Sequence, residues 1–205
     1  MTTPTAPTGW PSARAVRAAV VLLVCLPFAL LVTDAATGGL GANPVEAVLH
    51  QTGDWALRLL LLTLAVSPLR RWLGWPWLQQ ARRPLGLAAF GYAMLHGLTY
   101  LLLDRGMIWE DVAADILERP YVTAGFTALM LMIPLAATST RGAMRRLGAR
   151  WQQLHRLIYP VAVLAVLHFA WSSKLARPEA VAYAGILGVL LLARLPAVLR
   201  SSRLI

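Results

Sequence analysis

Three of the four histidines lie inside or at the edge of long apolar stretches, where an ionisable side chain is costly and is by default interpreted as functional. His96 lies in LGLAAFGYAMLHGLTYLLL, and His155 and His168 lie in WQQLHRLIYPVAVLAVLHFAW. Imidazoles on facing helices are what a helix bundle needs to hold a heme iron. The alternative for each histidine is a buried polar contact, such as a hydrogen bond to a serine or threonine.

The elements that carry these histidines are predicted to cross a membrane. The 205 residues are 58% hydrophobic and 14% charged, with a mean hydropathy of +0.61, whereas soluble domains are about 45–50% apolar and about 25% charged. Most of six apolar stretches approach the roughly 20 residues that cross a bilayer. They are 15–33, 55–69, 84–103, 120–138, 152–172 and 179–199. An all-α soluble protein would need polar helix faces, which these stretches lack.

We therefore predict an all-α integral membrane protein, a six-helix transmembrane bundle with heme held between helices. The domain is expected over residues 15–200, after a flexible cytoplasmic tail at 1–14. The first apolar stretch follows two arginines, as in a signal peptide, but it is longer than the usual apolar region of one. We expect the first stretch to be retained as a membrane anchor.

The sequence has a single cysteine, Cys25, which lies in this first stretch. One cysteine cannot form a zinc or iron–sulfur site that needs several cysteine ligands.

Charge predicts the orientation of the bundle. The net charge is +10, and the basic residues fall in alternate connections. They are Arg14 and Arg17; Arg70, Arg71, Arg82 and Arg83; Arg141, Arg145, Arg146 and Arg150; and Arg200 and Arg203. Basic loops stay in the cytoplasm, so both termini are predicted to be cytoplasmic and the acidic connection 104–118 to lie outside. Because the arginines bracket spans and form no single folded face, we expect no nucleic-acid partner.

Depth separates the histidines. At 1.5 Å per residue, His96 lies roughly 18 Å, His168 roughly 25 Å and His155 roughly 6 Å above the cytoplasmic end. His96 and His168 can therefore clamp one heme b from adjacent helices. His155 is about 220° of helix rotation away from His168, although a kink near Pro160 could correct the phase. A second, inner heme on His155 is an open alternative that lacks a histidine partner on the third stretch.

Arg58, inside the second apolar stretch, has two interpretations. It extends its charged end to the outer interface, or it pairs with a heme propionate on the same outer side as His96 and His168.

His50, in the segment NPVEAVLHQTGDW, is expected on the surface, in a short amphipathic helix at the outer face. The basic connection RRWLGWPWLQQARRP could bind anionic lipid head groups, a flavin phosphate or a partner protein, and its main expected role is to fix the topology.

Three segments together resemble one known family. GDWALRLLLLTLAVSPLRR, ARRPLGLAAFGYAMLHGLTYLL and WQQLHRLIYPVAVLAVLHFAW are similar to the MsrQ (YedZ) family, heme-binding membrane subunits of a bacterial periplasmic protein-methionine-sulfoxide reductase system. That family is related to the ferric reductase transmembrane domain. The resemblance covers roughly residues 50–175, and His96, His155 and His168 match the heme-associated histidines of the family.

The resemblance implies one or two b-type hemes, an FMN, and a place in the bacterial inner membrane. It implies electron transfer from the quinone pool, or from a cytoplasmic flavin reductase, to a periplasmic molybdopterin enzyme that repairs oxidised methionines. Larger ferric reductases carry two histidines on each of two helices, whereas the third stretch here has one.

Two other functions compete with this electron conduit. No GxGxxG or GxxxxGK[ST] motif occurs, so neither a Rossmann nor a P-loop site is encoded, and electrons must come from a partner or a membrane-soluble carrier. A self-standing ferric or cupric reductase would use the same heme. A small heme-free transporter would use the histidines to relay protons or bind substrate, but few intramembrane carboxylates accompany them.

Overall fold

The computed structural model describes residues 10–172 and 178–194, and every regular element within those ranges is a helix. The α-helices are α1 Ala13–Thr37, α2 Pro44–Leu73, α3 Arg82–Thr99, α4 Trp109–Glu118, α5 Pro120–Ala137, α6 Arg141–Leu147, α7 Ala149–His155, α8 Ile158–Ser172 and α9 Pro178–Leu192. A 3-10 turn at Pro76–Gln80 precedes α3, and a π-helical turn at Tyr100–Asp104 follows it. Residues 1–9 of the predicted tail and 195–200 of the predicted domain lie outside the described residues.

Within the described residues, four helical stretches are long and apolar enough to cross a membrane: Ala13–Thr37, Pro76–Asp104, Pro120–Ala137 and Ala149–Ser172. The membrane-embedded, all-helical class predicted from composition is thereby confirmed. The second and sixth predicted spans correspond to α2 and α9, which are not among the four. Asp54 and Arg58 lower the hydropathy of α2, and α9 is a shorter apolar helix of 15 residues. The six-span bundle therefore stays a prediction.

Helix α2 begins earlier than the sequence suggested. Asn43 caps it, accepting from the backbone N–H of Glu46 at 3.3 Å, and Pro44 occupies the first turn, where its missing N–H costs nothing. The separate amphipathic helix expected around residues 43–55 is therefore wrong, because these residues are the first turns of one continuous 30-residue helix. His50 is exposed on it, as predicted.

The core lies where α2, α3, α5, α8 and α9 meet. Its buried members are Leu57, Leu59, Leu60, Leu61, Leu64, Ala89, Tyr92, Ala128, Met132, Val161, Ala162, Val166, Leu187 and Leu190. Small residues such as Ala89 and Ala162 are fully buried and let neighbouring helices approach closely, as membrane helices do. Helix α1 is peripheral: Tyr92 donates to its Val24 carbonyl at 2.8 Å, while large residues such as Leu22 stay exposed.

The bundle has two chemically different ends. Contacts bring the starts of α2, α5 and α9 together with the ends of α3 and α8, and the end of α1 reaches the same level beside the start of α2. This end, called the acidic end below, carries every carboxylate side chain of the sequence. They are Asp34, Glu46, Asp54, Asp104, Glu110, Asp111, Asp115, Glu118 and Glu179. The opposite end, called the basic end, joins the start of α3, the end of α2 and the end of α9.

Candidate functional site: a histidine pair at the acidic end

His96 lies in the last turn of α3 and is held by α2. Its Nδ1 lies 2.9 Å from the carbonyl oxygen of Leu49. A carbonyl oxygen only accepts, so Nδ1 carries the proton and Nε2 keeps its lone pair. The ring reaches this carbonyl because Gly53, one turn further along α2, has no side chain; a Cβ there would lie 2.9 Å from Nδ1. Helix α2 thus fixes the tautomer and the position of the ring.

His168, near the end of α8, is held in the same way by α5. Its Nδ1 donates to the carbonyl oxygen of Tyr121 at 2.7 Å. Gly125 follows Tyr121 by one turn, and a Cβ at that glycine would lie 2.7 Å from Nδ1. Each histidine is therefore oriented by a carbonyl on the neighbouring helix, next to a glycine four residues later. Each leaves Nε2 free to bind a metal.

The two rings lie next to one another, edge to face. Their centroids are 5.8 Å apart and their planes are inclined by 76°. Since metal–nitrogen bonds are about 2 Å long, this separation is compatible with both rings binding one ion. Within residues 10–172 and 178–194, no group of three or more His, Cys, Asp or Glu side chains gathers to hold a bare ion. The pair therefore fits an iron whose other ligands come from a porphyrin, as in a bis-histidine heme.

His155 is not part of this pair. It ends α7, at the basic end, and a short break at Arg156 and Leu157 separates it from α8. Its ring stacks on Trp151 at 3.9 Å, and its Nδ1 lies 3.2 Å from the Trp151 carbonyl oxygen one turn earlier. Trp151 in turn donates from Nε1 to the Thr138 carbonyl at 3.0 Å. His155 thus has the Trp151 carbonyl of its own helix as a partner and also interacts with the Leu135 backbone of α5.

Arg58 lies on α2, one and a half turns after Gly53. Its Nε donates to the Tyr183 hydroxyl at 2.9 Å, and its Nη2 lies 3.5 Å from an Asp54 carboxylate oxygen. Its guanidinium also sits 5.2 Å from the centre of the Trp55 ring. The predicted span that contains Arg58, 55–69, has no carboxylate side chain. Since α2 begins upstream of that span, Asp54 supplies one at the i,i+4 spacing.

The connection between α3 and α5 forms an ordered cap over the acidic end. Asp115, 6% exposed, accepts from the Tyr100 hydroxyl at 2.7 Å and pairs with Arg105 at 2.7 Å and Arg119 at 3.1 Å. Arg105 therefore belongs to an internal ion pair. Asp111, on the other side of α4, is exposed.

Sequence reasoning found the histidines and missed what orients them. Gly53 and Gly125 each lie in the early turns of an apolar helix, where glycine costs about 1 kcal/mol relative to alanine. A glycine kept at such a position despite this cost indicates that another group approaches the helix closely there. Which ring approaches which glycine depends on the rotation of each helix, and hydropathy does not report rotation.

The fold and the pair define a transmembrane domain of the ferric reductase class. The family model described as ferric reductase like transmembrane component matches residues 52–166. This range contains His96 and His155 and ends two residues before His168. No solved structure matches the chain.

Similar curated proteins identify the family within this class. The chain is 51% identical over 195 residues to the protein-methionine-sulfoxide reductase heme-binding subunit MsrQ of Ralstonia nicotianae, covering 94% of this chain and 90% of the relative. It is 50% identical over 186 residues to the protein of the same name from Xanthomonas campestris pv. campestris, covering 88% and 85%. The relative from Azospira oryzae is 48% identical over 179 residues, covering 86% and 77%. The chain belongs to the MsrQ family, which confirms the resemblance seen in the sequence.

Proposed function

We propose that this chain is a transmembrane electron conduit that holds a heme b between His96 and His168 and delivers electrons to a periplasmic methionine-sulfoxide reductase. The observation that carries the proposal is the histidine pair, with both Nδ1 atoms bound to carbonyls of neighbouring helices and the rings 5.8 Å apart. The relatives are named heme-binding subunits, which supports heme as the cofactor.

The chain's own residues do two things at this site. Leu49 and Tyr121 fix the imidazole tautomers, and a ring that donates from Nδ1 is a more basic ligand at Nε2. Gly53 and Gly125 leave room for the two rings beside those carbonyls. When bound, the heme iron supplies one-electron chemistry by alternating between its ferric and ferrous states.

We assign a separate role to His155, at the basic end, where it would ligate a second heme or act near the entry of electrons. Arg58 is proposed to hold a propionate of the heme on the pair. It lies five residues after Gly53, roughly 7.5 Å along α2. Its pairing with Asp54 and Tyr183 would keep it in place.

The proposed direction runs from the basic to the acidic end. Since basic loops stay on the cytoplasmic side, both termini are proposed to lie in the cytoplasm of a bacterium, with the domain in the inner membrane and the acidic end facing the periplasm. Electrons would come from the quinone pool, or from a cytoplasmic flavin reductase through FMN. They would leave to a periplasmic molybdopterin enzyme that repairs oxidised methionines. Reporter fusions at Asp111 and Arg146 are expected on opposite sides of the membrane, and the same side for both contradicts this orientation.

A self-standing ferric or cupric reductase is the second candidate, because the matching family model bears the ferric reductase description. It would use the same pair with a metal salt as acceptor. Stopped-flow oxidation of reduced protein by the periplasmic enzyme and by ferric citrate, at matched concentration, separates the two. The conduit predicts faster oxidation by the enzyme. A heme-free transporter is the interpretation that remains if no heme binds.

Absorption spectroscopy tests the proposal directly. Purified protein is expected to show the Soret band and reduced α-band of low-spin heme b. His96→Ala and His168→Ala should each remove the same spectral component, while His50→Ala, an exposed histidine on α2, should leave it unchanged. Colourless protein from heme-sufficient cells, or different components lost from the two variants, would contradict the site.

A further inference from the structure

Asp115 is bonded to both of the helices that meet beside the histidine pair. It is the one buried carboxylate among the described residues, and only 6% of it is exposed. Its Oδ2 accepts from the Tyr100 hydroxyl at 2.7 Å and lies 2.7 Å from Nη2 of Arg105. Its Oδ1 lies 3.1 Å from Nε of Arg119. One carboxylate oxygen therefore holds the end of α3, and the other holds the start of α5.

The contact with α3 acts one turn from His96. Tyr100 follows His96 by four residues, and its backbone N–H donates to the His96 carbonyl oxygen. From Tyr100 the chain changes to the π-helical turn, a rare geometry that is frequent at functional sites. The backbone N–H of Arg105 closes this turn on the Tyr100 carbonyl at 2.9 Å. A displacement of Tyr100 would therefore move the last turn of α3, in which His96 lies.

The contact with α5 acts two residues from the carbonyl that orients His168. Arg119 immediately precedes α5, and its Nη1 donates to the Tyr121 hydroxyl at 3.4 Å. The carbonyl oxygen of Tyr121 accepts from His168 Nδ1, and the rings of the two residues lie 6.3 Å apart. The Thr123 hydroxyl donates to the Ile116 carbonyl, which fastens the start of α5 to the end of α4. A displacement of α4 would therefore reach the carbonyl that holds His168.

We infer that Asp115 is a positioning residue that sets the geometry of His96 relative to His168. It touches neither ring and acts by holding the end of α3 and the start of α5 at a fixed separation. Hydrogen bonds to a charged group are shorter and stronger than neutral ones, so a carboxylate suits a fixed connection between two helices. The inference rests on the proposed function, in which the two rings bind one heme iron.

Electron paramagnetic resonance of the ferric protein tests this role, because the g values of a low-spin heme report the arrangement of its two axial rings. Asp115→Asn removes the charge and keeps the size of the side chain. We expect shifted g values and heme binding about tenfold weaker, the low end of the cost of losing an outer-shell partner. Asp111→Asn makes the same change on the exposed side of α4 and should alter neither. A purely structural role would lower the yield of folded protein without moving the g values, so wild-type g values in heme-loaded Asp115→Asn, or an equal shift in Asp111→Asn, would overturn the inference.

Two further measurements keep the test decisive. If Asp115→Asn does not accumulate, Tyr100→Phe removes only the hydroxyl that reaches Asp115, and it should shift the g values as well; unshifted values would contradict the positioning role. If wild-type protein binds no low-spin heme, the proposed function fails, and nitrogen NMR of histidine-labelled, heme-free protein tests the positioning by itself. Asp115→Asn should then move the Nδ1 resonance of His168 and leave that of His155, at the basic end, in place. An unmoved His168 resonance would count against the inference.

Discussion

At the acidic end, the buried carboxylate of Asp115 is paired with arginines, whereas at the basic end the buried guanidinium of Arg194 contacts only neutral groups among the described residues. Asp115 is surrounded by Arg105, Arg119 and Tyr100. Arg194 contacts the Leu64 carbonyl and the Tyr159 hydroxyl. Ion pairs therefore hold the acidic end, while hydrogen bonds to neutral groups hold Arg194 at the basic end.

The histidines follow the same division. His96 and His168 donate to carbonyls on neighbouring helices, so the packing of α2 on α3 and of α5 on α8 sets their geometry. His155 is bonded to Trp151 within its own helix and also interacts with the Leu135 backbone of α5, at the basic end. Disturbing helix packing at the acidic end should consequently affect the pair strongly and His155 weakly.

The largest expected effect comes from filling the glycine sites. In Gly125→Ala, the new Cβ would lie 2.7 Å from Nδ1 of His168, which displaces the ring from the Tyr121 carbonyl. Losing such an outer-shell partner typically weakens metal binding about 10- to 100-fold. We expect purified Gly125→Ala to lose most of the low-spin heme component, measured by heme titration and absorbance.

Gly91→Ala is the matched control, because a Cβ at Gly91 on α3 meets no atom within 4 Å. This variant should retain the spectrum of the wild type. Gly53→Ala, whose Cβ would lie 2.9 Å from His96 Nδ1, should resemble Gly125→Ala. Full heme content in both Gly53→Ala and Gly125→Ala would show that the carbonyl contacts do not orient the ligands.

The next effect concerns stability at the acidic end. Asp115→Asn leaves Arg105 without its closest anionic partner in a largely buried setting. Breaking a buried pair costs about 3–5 kcal/mol, and we expect the lower end because Arg119 is 46% exposed. Thermal or denaturant unfolding in detergent measures the loss.

Asp111→Asn makes the same chemical change on the exposed side of α4, and surface changes usually stay within about 0.5 kcal/mol. Equal stability of Asp115→Asn and Asp111→Asn would mean that the ion-pair cluster does not hold the cap.

A smaller and more specific effect is expected from His155→Ala. Because His155 lies at the basic end, away from His96 and His168, the low-spin component of the pair should stay largely intact. The variant should instead lose a second heme component or slow reduction from the basic side. Loss of all heme from folded His155→Ala protein would contradict the separation of the two ends.

Hydropathy and charge predicted much of this arrangement. The third, fourth and fifth apolar stretches correspond to α3, α5 and α7–α8, and the depth estimate brought His96 and His168 together. Depth is a property of position along a helix, which the sequence encodes directly. The contacts of Gly53 and Gly125 depend on how each helix is rotated against its neighbour, and a single sequence does not contain that information.

Two local contacts were not predicted, for a related reason. The predicted second stretch, 55–69, leaves Asp54 outside, whereas the cap at Asn43 extends α2 back through Asp54, which pairs with Arg58. Arg105 lies in the acidic connection 104–118, where α4 turns Asp115 inward to pair with it. Each contact depends on one helix boundary or one helix face.

The smallest expected effect sharpens the role of the acidic end as a docking face. With Arg105 paired internally, the exposed rim consists of Trp109, Glu110 and Asp111. Rim charges mainly tune encounter rates, and salt screens them. In oriented vesicles, the double variant Glu110→Lys with Asp111→Lys should slow oxidation of the reduced protein by the periplasmic partner several-fold at low salt, and the difference should shrink as salt rises. Arg70→Glu reverses a charge at the basic end and should leave this rate unchanged. A salt-independent rate, or an equal effect from Arg70→Glu, would place the docking face elsewhere.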